Sequence, residues 1–268
     1  MPQTDAYRWN AEDYARHSQG QERWARELLG ELALEPDDAV LDVGCGDGRT
    51  TAAIAARALH GKVVGVDSSA DMVRHATRRF GAPTHANLTF CRADARALPF
   101  TAEFSVVFSN ATLHWVREHE PVMTGLARAL RPGGRLAVQM GGRGNAAEVI
   151  AAFEAVGARA RWATAFSGFQ SPYGFHGPEL YASGLAARGL AVQEARLIEK
   201  DMLHADREAF VGWLRTAWHP YTTPVHESAR SEFIAAVAEQ YLAAHPPDDR
   251  GQIHVAMVRL QVKAARPR

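Results

Sequence analysis

The feature that most constrains the fold is an alternation of short apolar runs with longer amphipathic segments over residues 39–140. The apolar runs are AVLDVG, KVVGVD, LTFCRAD, FSVVFSN and RLAVQM. The segments between them, such as ADMVRHATRRF and EPVMTGLARAL, repeat their apolar residues at helical spacing. Because parallel strands need crossover connections, which are usually helices, this alternation predicts an α/β fold. Its sheet would be doubly wound and mainly parallel, with helices on both faces.

The flanking segments extend this pattern. Residues 21–34 repeat apolar residues at helical spacing, and TTAAIAARAL predicts a helix with Ile54 and Leu59 turned inward. Past Met140, residues 143–176 predict a helix and then the turn-rich, aromatic GFQSPYGFHGP, which is interpreted as an insertion over the sheet. Residues 205–244 predict two helices, and IHVAMVRLQVKA predicts a closing strand.

Charge and cysteine content narrow the class of protein. Lysine and arginine together number 30, as do aspartate and glutamate, and no run of like charge suggests a nucleic-acid or membrane surface. Cys45 and Cys91 have no metal-ligand spacing and are too few for a disulfide framework, so no metal site is predicted. The polar N-terminus has no signal-peptide core, and no apolar run is long enough to cross a bilayer. We expect a cytoplasmic protein.

The stretch VLDVGCGDGRT places Gly44, Gly46 and Gly48 directly after an apolar run. Glycines here indicate either a tight turn under a helix or a ligand that approaches the backbone closely. A dinucleotide-binding fingerprint fails because Arg49 stands at the sixth place, and a P-loop fails because no Gly-Lys-Ser/Thr follows. Asp42 and Asp47 would favour a ligand with positive charge. S-adenosylmethionine, which carries a sulfonium and an ammonium, satisfies both conditions.

Acidic residues also end the next two predicted strands. Asp67 ends the second strand, where an acid can accept hydrogen bonds from two ribose hydroxyls. Asp94 follows the third strand, where a carboxylate can accept from an adenine amino group. The structural alternative for Asp94 is the N-cap of a helix.

Taken together, the motifs resemble those of class I S-adenosylmethionine-dependent methyltransferases. The resemblance rests on VLDVGCGDGRT, VVGVDSSADMV, CRADARALPF, FSVVFSNATLHWV and LRPGGRLAVQM, in this order. The flanking WNAEDY and GWLRTAWHPY make the chain similar to trans-aconitate methyltransferases and, more loosely, to juvenile hormone acid methyltransferases, which methylate small carboxylic acids. The resemblance implies a seven-stranded Rossmann-like sheet with helical insertions that cap the active site.

By position, the resemblance implies a set of cofactor-binding residues. Gly44, Gly46 and Gly48 would line the methionine end, with Asp42 and Cys45 in the same loop. Asp67 and Ser68 would hold the ribose, and Met72 would pack on the adenine. Asp94 and Ala95 would bind the adenine edge, and Asn110 would lie beneath the sulfonium. Trp9 and Tyr14 would belong to a lid, although Trp9 could equally be a helix-packing aromatic residue.

The expected organisation is a single methyltransferase domain over residues 1–268. Residues 1–34 would form lid helices, residues 35–142 the cofactor-binding core, and residues 143–176 and 201–250 the insertions over the substrate.

His114 and Trp115 follow the fourth strand and are the candidate catalytic residues, with His114 either a general base or a positioning residue. The substrate pocket is expected to come from the insertions. Its candidates are Tyr173, Phe175, His176, Trp213, Arg215, Trp218, His219 and Tyr221. Trp213 and Trp218 also suit a core position. Arg143, Lys200 and Arg215 are candidates to receive a carboxylate or phosphate, or else solvated surface cations.

The leading hypothesis is O-methylation of a small-molecule carboxylate, which is already ionised and requires no general base. The alternative is C-methylation of an isoprenoid or other natural product, in which Glu179 or Glu208 would accept the proton. A second alternative is a non-catalytic cofactor-binding protein. Nucleic-acid methylation is disfavoured by the charge balance and by SNAT in place of an NPPY-like motif. The sequence makes no prediction of the oligomeric state.

Overall fold

The structure is a computed structural model that describes residues 19–82 and 84–268, with side chains from residue 24 onward. Trp9, Tyr14 and most of the predicted lid segment therefore lie outside the described residues.

A seven-stranded sheet forms the centre of the molecule and confirms the predicted fold class. Its strands are β1 (Val40–Val43), β2 (Val63–Asp67), β3 (Leu88–Arg92), β4 (Phe104–Asn110), β5 (Leu130–Gly141), β6 (Ala191–His204) and β7 (Ile253–Ala265). The order across the sheet is β3-β2-β1-β4-β5-β7-β6. β1 to β5 pair in parallel, whereas β7 runs antiparallel to both β5 and β6. Every residue of β1 is buried, as expected for a central strand that is covered on both faces.

Helices cover the sheet and continue into the insertions. They are α1 (Gln19–Glu31), α2 (Arg49–Ala55), α3 (Ala70–Phe80), α4 (His119–Ala129), α5 (Ala147–Gly157), α6 (Pro178–Ala186), α7 (Arg207–Ala217), α8 (His219–Thr222) and α9 (Glu227–Ala244). Short 3-10 helices span Ala95–Ala97 and Leu113–Trp115. No helix in the described part of the chain is long and apolar enough to cross a membrane.

Two local predictions were wrong. Leu59 is 64% exposed, because α2 ends at Ala55 and the helical spacing does not continue to Leu59. Residues 205–244 contain α7, α8 and α9 rather than two helices, because a separate short helix begins at His219, with Pro220 in its first turn.

The apolar core has two parts that matter for the site. One part lies against the parallel strands and includes Leu41 and Val107. The other, which we call the cap cluster, comprises Trp24, Phe153, Trp162, Phe210, Trp213, Trp218, Tyr221, Phe233 and Tyr241, with Val255 and Met257 of β7. The cap cluster holds the inserted helices against the sheet at the end where β7 extends beyond β5.

Candidate active site

A cavity of about 640 Å³ opens at the carboxyl ends of β1, β2 and β4. This is the edge at which open α/β sheets collect their ligands. Its volume falls in the range of small-molecule and cofactor sites. Residues 42–47, 49 and 50 form its floor, and residues 168–170 and 172 of the first insertion form part of its opposite wall.

Each of the three loop glycines adopts a positive φ, with values of 79° at Gly44, 52° at Gly46 and 86° at Gly48. A Cβ on Gly44 would collide with the side chain of Thr112, whose hydroxyl donates to the Gly44 carbonyl at 3.0 Å. A Cβ on Gly46 would meet no atom within 4 Å. Gly46 therefore leaves the backbone open to the cavity, whereas Gly44 lets β4 approach the loop.

Gly48 is required for close packing rather than for access to the cavity. A Cβ there would lie 2.8 Å from Cβ of Ala76 and 2.9 Å from Cζ of Phe90. Gly48 does not line the cavity, which differs from the expectation for this residue. It allows the start of α2 to pack closely against α3 and the sheet.

Two carboxylates at the ends of β1 and β2 face the cavity, Asp42 buried and Asp67 partly buried. Asp42 Oδ2 accepts from the Thr51 hydroxyl at 2.7 Å, and burial, together with the charge of Asp67, raises the pKa of Asp42 to about 7. Asp67 accepts from the backbone N–H of Gly46 at 3.0 Å and of Ser69 at 2.8 Å, while burial raises its pKa. Because desolvation disfavours both anions, a cation in the cavity would stabilise their charged forms.

The other loop acids are neutralised locally. Asp47 pairs with Nε of Arg49 at 2.7 Å, so its charge is less available to a ligand than the sequence suggested. Asp94 caps the 3-10 helix by accepting from the backbone N–H of Arg96 at 2.8 Å, and it also pairs with the Arg96 guanidinium. That hydrogen bond to the guanidinium lowers the pKa of Asp94. Asp94 thus has its predicted N-cap role while it also lines the cavity.

Most predicted cofactor residues meet around this cavity. Those that line it are Asp42, Gly44, Cys45, Gly46, Asp67, Ser68, Met72, Asp94, Ala95 and Asn110. An open glycine turn beside Asp42 and Asp67, with Met72 on the cavity lining, fits a nucleoside whose other end is cationic.

The two candidate catalytic residues take different positions. Trp115 lines the cavity, whereas His114 lies behind it. The backbone N–H of Gly141 donates to Nδ1 of His114 at 3.3 Å, and the ring of Phe175 stacks on the imidazole at 5.8 Å. Burial lowers the pKa of His114 well below its ordinary value, and the charge of Arg259 lowers it further. A neutral imidazole that accepts at Nδ1 carries its proton on Nε2, so His114 presents a donor rather than a base.

The predicted substrate residues form a second layer rather than the wall of this cavity. Tyr173 packs on Trp115 at 4.9 Å and stacks on Phe175 at 5.1 Å, while its hydroxyl donates to the Ala217 carbonyl at 3.1 Å. The remaining members also lie outside the cavity lining: His176, Trp213, Arg215, Trp218, His219 and Tyr221. Trp213, Trp218 and Tyr221 are buried in the cap cluster, which is the core alternative for the two tryptophans, and Arg215 is exposed.

The predicted anion-binding cations also lie at the surface. Arg143 pairs with Glu179 at 2.8 Å, with both side chains more than 60% exposed, and Lys200 pairs with Glu27.

Several cavity residues were not predicted. Thr112, Phe169 and Gln170 line the cavity and belong to segments that the sequence analysis identified. The sequence of a turn does not determine which of its side chains face inward, so these residues could not be chosen from it. Arg117 donates to Gln170 at 3.0 Å and so joins the loop after β4 to the first insertion at the cavity rim.

Comparisons with known proteins agree with this geometry. Residues 40–134 match a family model described as a methyltransferase domain. The trans-aconitate 2-methyltransferase of Methylobacterium radiotolerans is 33% identical over 96% of this chain and 97% of its own length. That of Rhizobium meliloti is 31% identical over 96% of this chain and 98% of its own length.

A solved structure is similar in fold. Geranyl diphosphate methyltransferase in complex with S-adenosylmethionine has a TM-score of 0.55 at 19% identity, over 96% of this chain and 89% of that protein. The sequence relatives confirm the family that the motifs indicate. The chain belongs to the class I S-adenosylmethionine-dependent methyltransferases, and S-adenosylmethionine is its cofactor.

Proposed function

We propose that the protein transfers a methyl group to a carboxylate oxygen of a small organic acid. The observation that carries this proposal is the orientation of His114, whose Nδ1 accepts from Gly141 and whose Nε2 therefore bears the proton. A nucleophile that is already ionised suits such a site because it needs no general base. The curated relatives, which are named for methylation of trans-aconitate, support the same substrate class.

The chain's own residues would bind and align the reactants. Asp67 and Ser68 would bind the ribose, Asp42 would stabilise the cationic end, and Asn110 would lie beneath the sulfonium. When bound, S-adenosylmethionine supplies an activated methyl group, whose transfer to a carboxylate forms a C–O bond, breaks the S–C bond and leaves a neutral thioether. Trp115 and Phe169 would exclude water from the cavity mouth, since both line it.

The C-methylation alternative has less support from the described side chains. Glu179 is exposed and pairs with Arg143, and Glu208 is exposed on α7. Neither lines the cavity, so neither is placed to remove a proton from a carbon centre there.

The domain organisation, the cellular location and the class of acceptor are also part of this proposal. We propose that residues 1–34 act as a lid, that residues 35–142 hold the cofactor, and that residues 143–176 and 201–250 enclose the acceptor. Cys45 and Cys91 are free thiols, which suits a reducing cytoplasm. We propose a small molecule rather than a nucleic acid as the acceptor.

The test is an incubation of the purified protein with methyl-labelled S-adenosylmethionine and a panel of acids, including trans-aconitate, cinnamate and decanoate. Methyl esters release labelled methanol under mild alkali, whereas C-methyl and ether products keep the label. We expect alkali-labile label. Product that keeps its label would overturn carboxylate methylation, and binding of cofactor without turnover of any acid would favour the non-catalytic alternative.

A further inference from the structure

One arginine of the cavity lining has no acidic partner among the residues that the structure describes. Arg49, Arg96 and Arg117 all line the cavity. Arg49 and Arg96 each form an ion pair with an aspartate of the cofactor-binding loops. Arg117 instead donates from Nη1 to the amide oxygen of Gln170 at 3.0 Å, and the adjacent Glu118, which also lines the cavity, forms no ion pair with it. The charge of Arg117 is therefore not neutralised by an acid.

The first insertion fixes Arg117 at both its backbone and its side chain. The backbone carbonyl of Arg117 accepts from Nε2 of His176 at 3.1 Å, while its Nη1 is held by Gln170. The preceding carbonyl, that of Val116, accepts from Nε2 of His119 at 2.8 Å. Because these hydrogen bonds already order the main chain and the guanidinium, Arg117 loses little further freedom when it binds a ligand.

One edge of the Arg117 guanidinium is available to a ligand. A guanidinium can donate two parallel hydrogen bonds to the two oxygens of a carboxylate. Gln170 engages Nη1, whereas no residue in the described part of the chain accepts from Nε or Nη2 of Arg117. The side chain of Arg117 is exposed at the cavity rim, and Gln170 faces it from the opposite wall. A carboxylate between the two walls can therefore pair with Nε and Nη2 without displacing Gln170.

The separation of Arg117 from Trp115 limits the size of the acceptor. Val116 between them is extended, with φ −108° and ψ 135°, so the Cα atoms of Trp115 and Arg117 lie about 7 Å apart. All three residues line the cavity, together with Phe169 of the first insertion. An acceptor that reacts beside Trp115 and Phe169 therefore reaches Arg117 with a short carbon chain.

We propose that Arg117, held in place by Gln170, binds a carboxylate of the acceptor other than the one that is methylated. This inference rests on the proposed function and assigns a residue that selects the acceptor. A bidentate pair with a guanidinium draws electron density from both oxygens of a carboxylate and makes each a poorer nucleophile. The carboxylate at Arg117 thus anchors the acceptor while a second carboxylate attacks the methyl group. The preferred acceptor is a short acid with at least two carboxylates.

The experiment uses three acids that share a main chain and differ in their number of carboxylates. trans-Aconitate carries three carboxylates, trans-glutaconate two and trans-2-pentenoate one. Kinetic assays measure KM and kcat/KM for methyl ester formation from each acid. Calorimetry measures the Kd of trans-glutaconate for protein that is saturated with S-adenosylhomocysteine, so that acceptor binding is read separately from turnover.

Three variants and one matched control are compared with wild type. Arg117→Gln removes the charge, Arg117→Lys keeps the charge without the planar fork, and Gln170→Glu supplies the acidic partner that Arg117 lacks. The control is Arg159→Gln. Arg159 is an exposed arginine outside the cavity lining and also donates to a glutamine amide, that of Gln240 at 2.7 Å. Circular dichroism and titration with S-adenosylhomocysteine establish that each variant is folded and binds the cofactor product.

We expect wild type to esterify trans-aconitate and trans-glutaconate with a higher kcat/KM than trans-2-pentenoate. Arg117→Gln should raise both KM and Kd for trans-glutaconate by about 10-fold, the value of a hydrogen bond to a charged group. Its kcat/KM for trans-2-pentenoate should hardly change, which general damage to the fold would not produce. Gln170→Glu should resemble Arg117→Gln, Arg117→Lys should be intermediate, and Arg159→Gln should resemble wild type.

Two results would overturn the inference while carboxylate methylation stands. One is an unchanged ratio of kcat/KM for trans-glutaconate to that for trans-2-pentenoate in folded Arg117→Gln. The other is a loss of affinity for S-adenosylhomocysteine in that variant with no loss for trans-glutaconate, which would assign Arg117 to the cofactor.

If none of the three acids is esterified, the Kd of trans-glutaconate decides. Weaker binding in Arg117→Gln but not in Arg159→Gln supports the inference, whereas equal binding in both, or no binding to wild type, contradicts it. By contrast, wild-type protein that forms only alkali-stable products contradicts the proposed function itself.

Discussion

Gly46 donates its backbone N–H to the carboxylate of Asp67 at 3.0 Å, which ties the loop after β1 to the end of β2. The second oxygen of Asp67 accepts from Ser69 at 2.8 Å, just before α3 begins. One carboxylate therefore fixes two turns that both border the cavity, and it keeps lone pairs for a ligand.

Asp67→Asn should weaken binding of both S-adenosylmethionine and S-adenosylhomocysteine. An amide can accept from Gly46 or Ser69 with its oxygen, but its NH₂ group then opposes the other backbone N–H. We expect a loss of about 10–100-fold in affinity, the size of a lost hydrogen bond to a charged group. Isothermal titration calorimetry measures it. The conservative variant Asp67→Glu serves as a control for charge, and unchanged affinity in Asp67→Asn would contradict the ribose assignment.

Affinity for S-adenosylmethionine should rise with pH through the neutral range. Asp42 has a raised pKa of about 7 in the folded protein without ligand, and a cationic ligand favours its ionised form. Protons are therefore released on binding below about pH 7, and the affinity should level off above about pH 8. Calorimetry in buffers of different ionisation enthalpy measures the proton release.

Asp42→Asn supplies the control, since it should remove the proton release. It should also stabilise the cofactor-free protein. The charged form of Asp42 is penalised in the fold, so the penalty is absent below about pH 4, grows between the unfolded and folded pKa values, and is complete above about pH 7. Full relief would be roughly 4 kcal/mol, measured as the free energy of unfolding in denaturant at high pH. An equal gain at low and high pH would contradict the raised pKa.

Gly46→Ala and Gly48→Ala should differ in kind. Both positions have positive φ, which costs an alanine about 1 kcal/mol. At Gly46 the new methyl group enters open space beside the cavity, so cofactor affinity should fall more than stability. At Gly48 it collides with Ala76 and Phe90, which should add about 1–3 kcal/mol of destabilisation. Denaturant unfolding measures the loss of stability and cofactor titration measures the loss of affinity. Equal losses of both quantities in the two variants would contradict this prediction.

His114 should not appear in the pH dependence of turnover. Because its pKa lies well below the ordinary value, it stays neutral and gains no proton between about pH 6 and 9. His114→Gln retains an N–H donor, so we expect a kcat/KM profile of the same shape and a rate within about tenfold of wild type. His114→Phe keeps the ring but loses the donor, and should raise KM for the acid. If the kcat/KM profile of wild type shows an ionisation near neutral pH that is missing in His114→Gln, His114 is a general base after all.

The sequence predicts the parallel half of the fold well for a physical reason. β1 and β4 are buried on both faces, so their sequences are largely apolar, while α3 and α4 must expose one face and show helical spacing. The acids Asp42 of β1 and Asp67 of β2 were also identified, because their positions near the carboxyl ends of the strands place them at the ligand-binding edge. Local spacing could not locate the end of α2, so the burial of Leu59 was predicted wrongly.

The acceptor side was harder to predict because its residues come from insertions whose direction the sequence does not encode. Tyr173 and Phe175 were identified as aromatic residues of one segment, but only the fold shows that they pack behind Trp115. Arg117 carried no signal of its own in the sequence, because most arginines are exposed and solvated. Its hydrogen bond to Gln170, 53 residues later in the chain, is visible only in the fold.

The order of strands has a consequence for biosynthesis. Within the described sheet, β6 pairs with β7 alone, and β7 separates it from β5. Residues 191–204 therefore cannot join the sheet until residues 253–265 have left the ribosome and inserted between the two. The parallel strands β1 to β5 can assemble on the nascent chain. The antiparallel strands β6 and β7 can complete the sheet only after β7 has been synthesised.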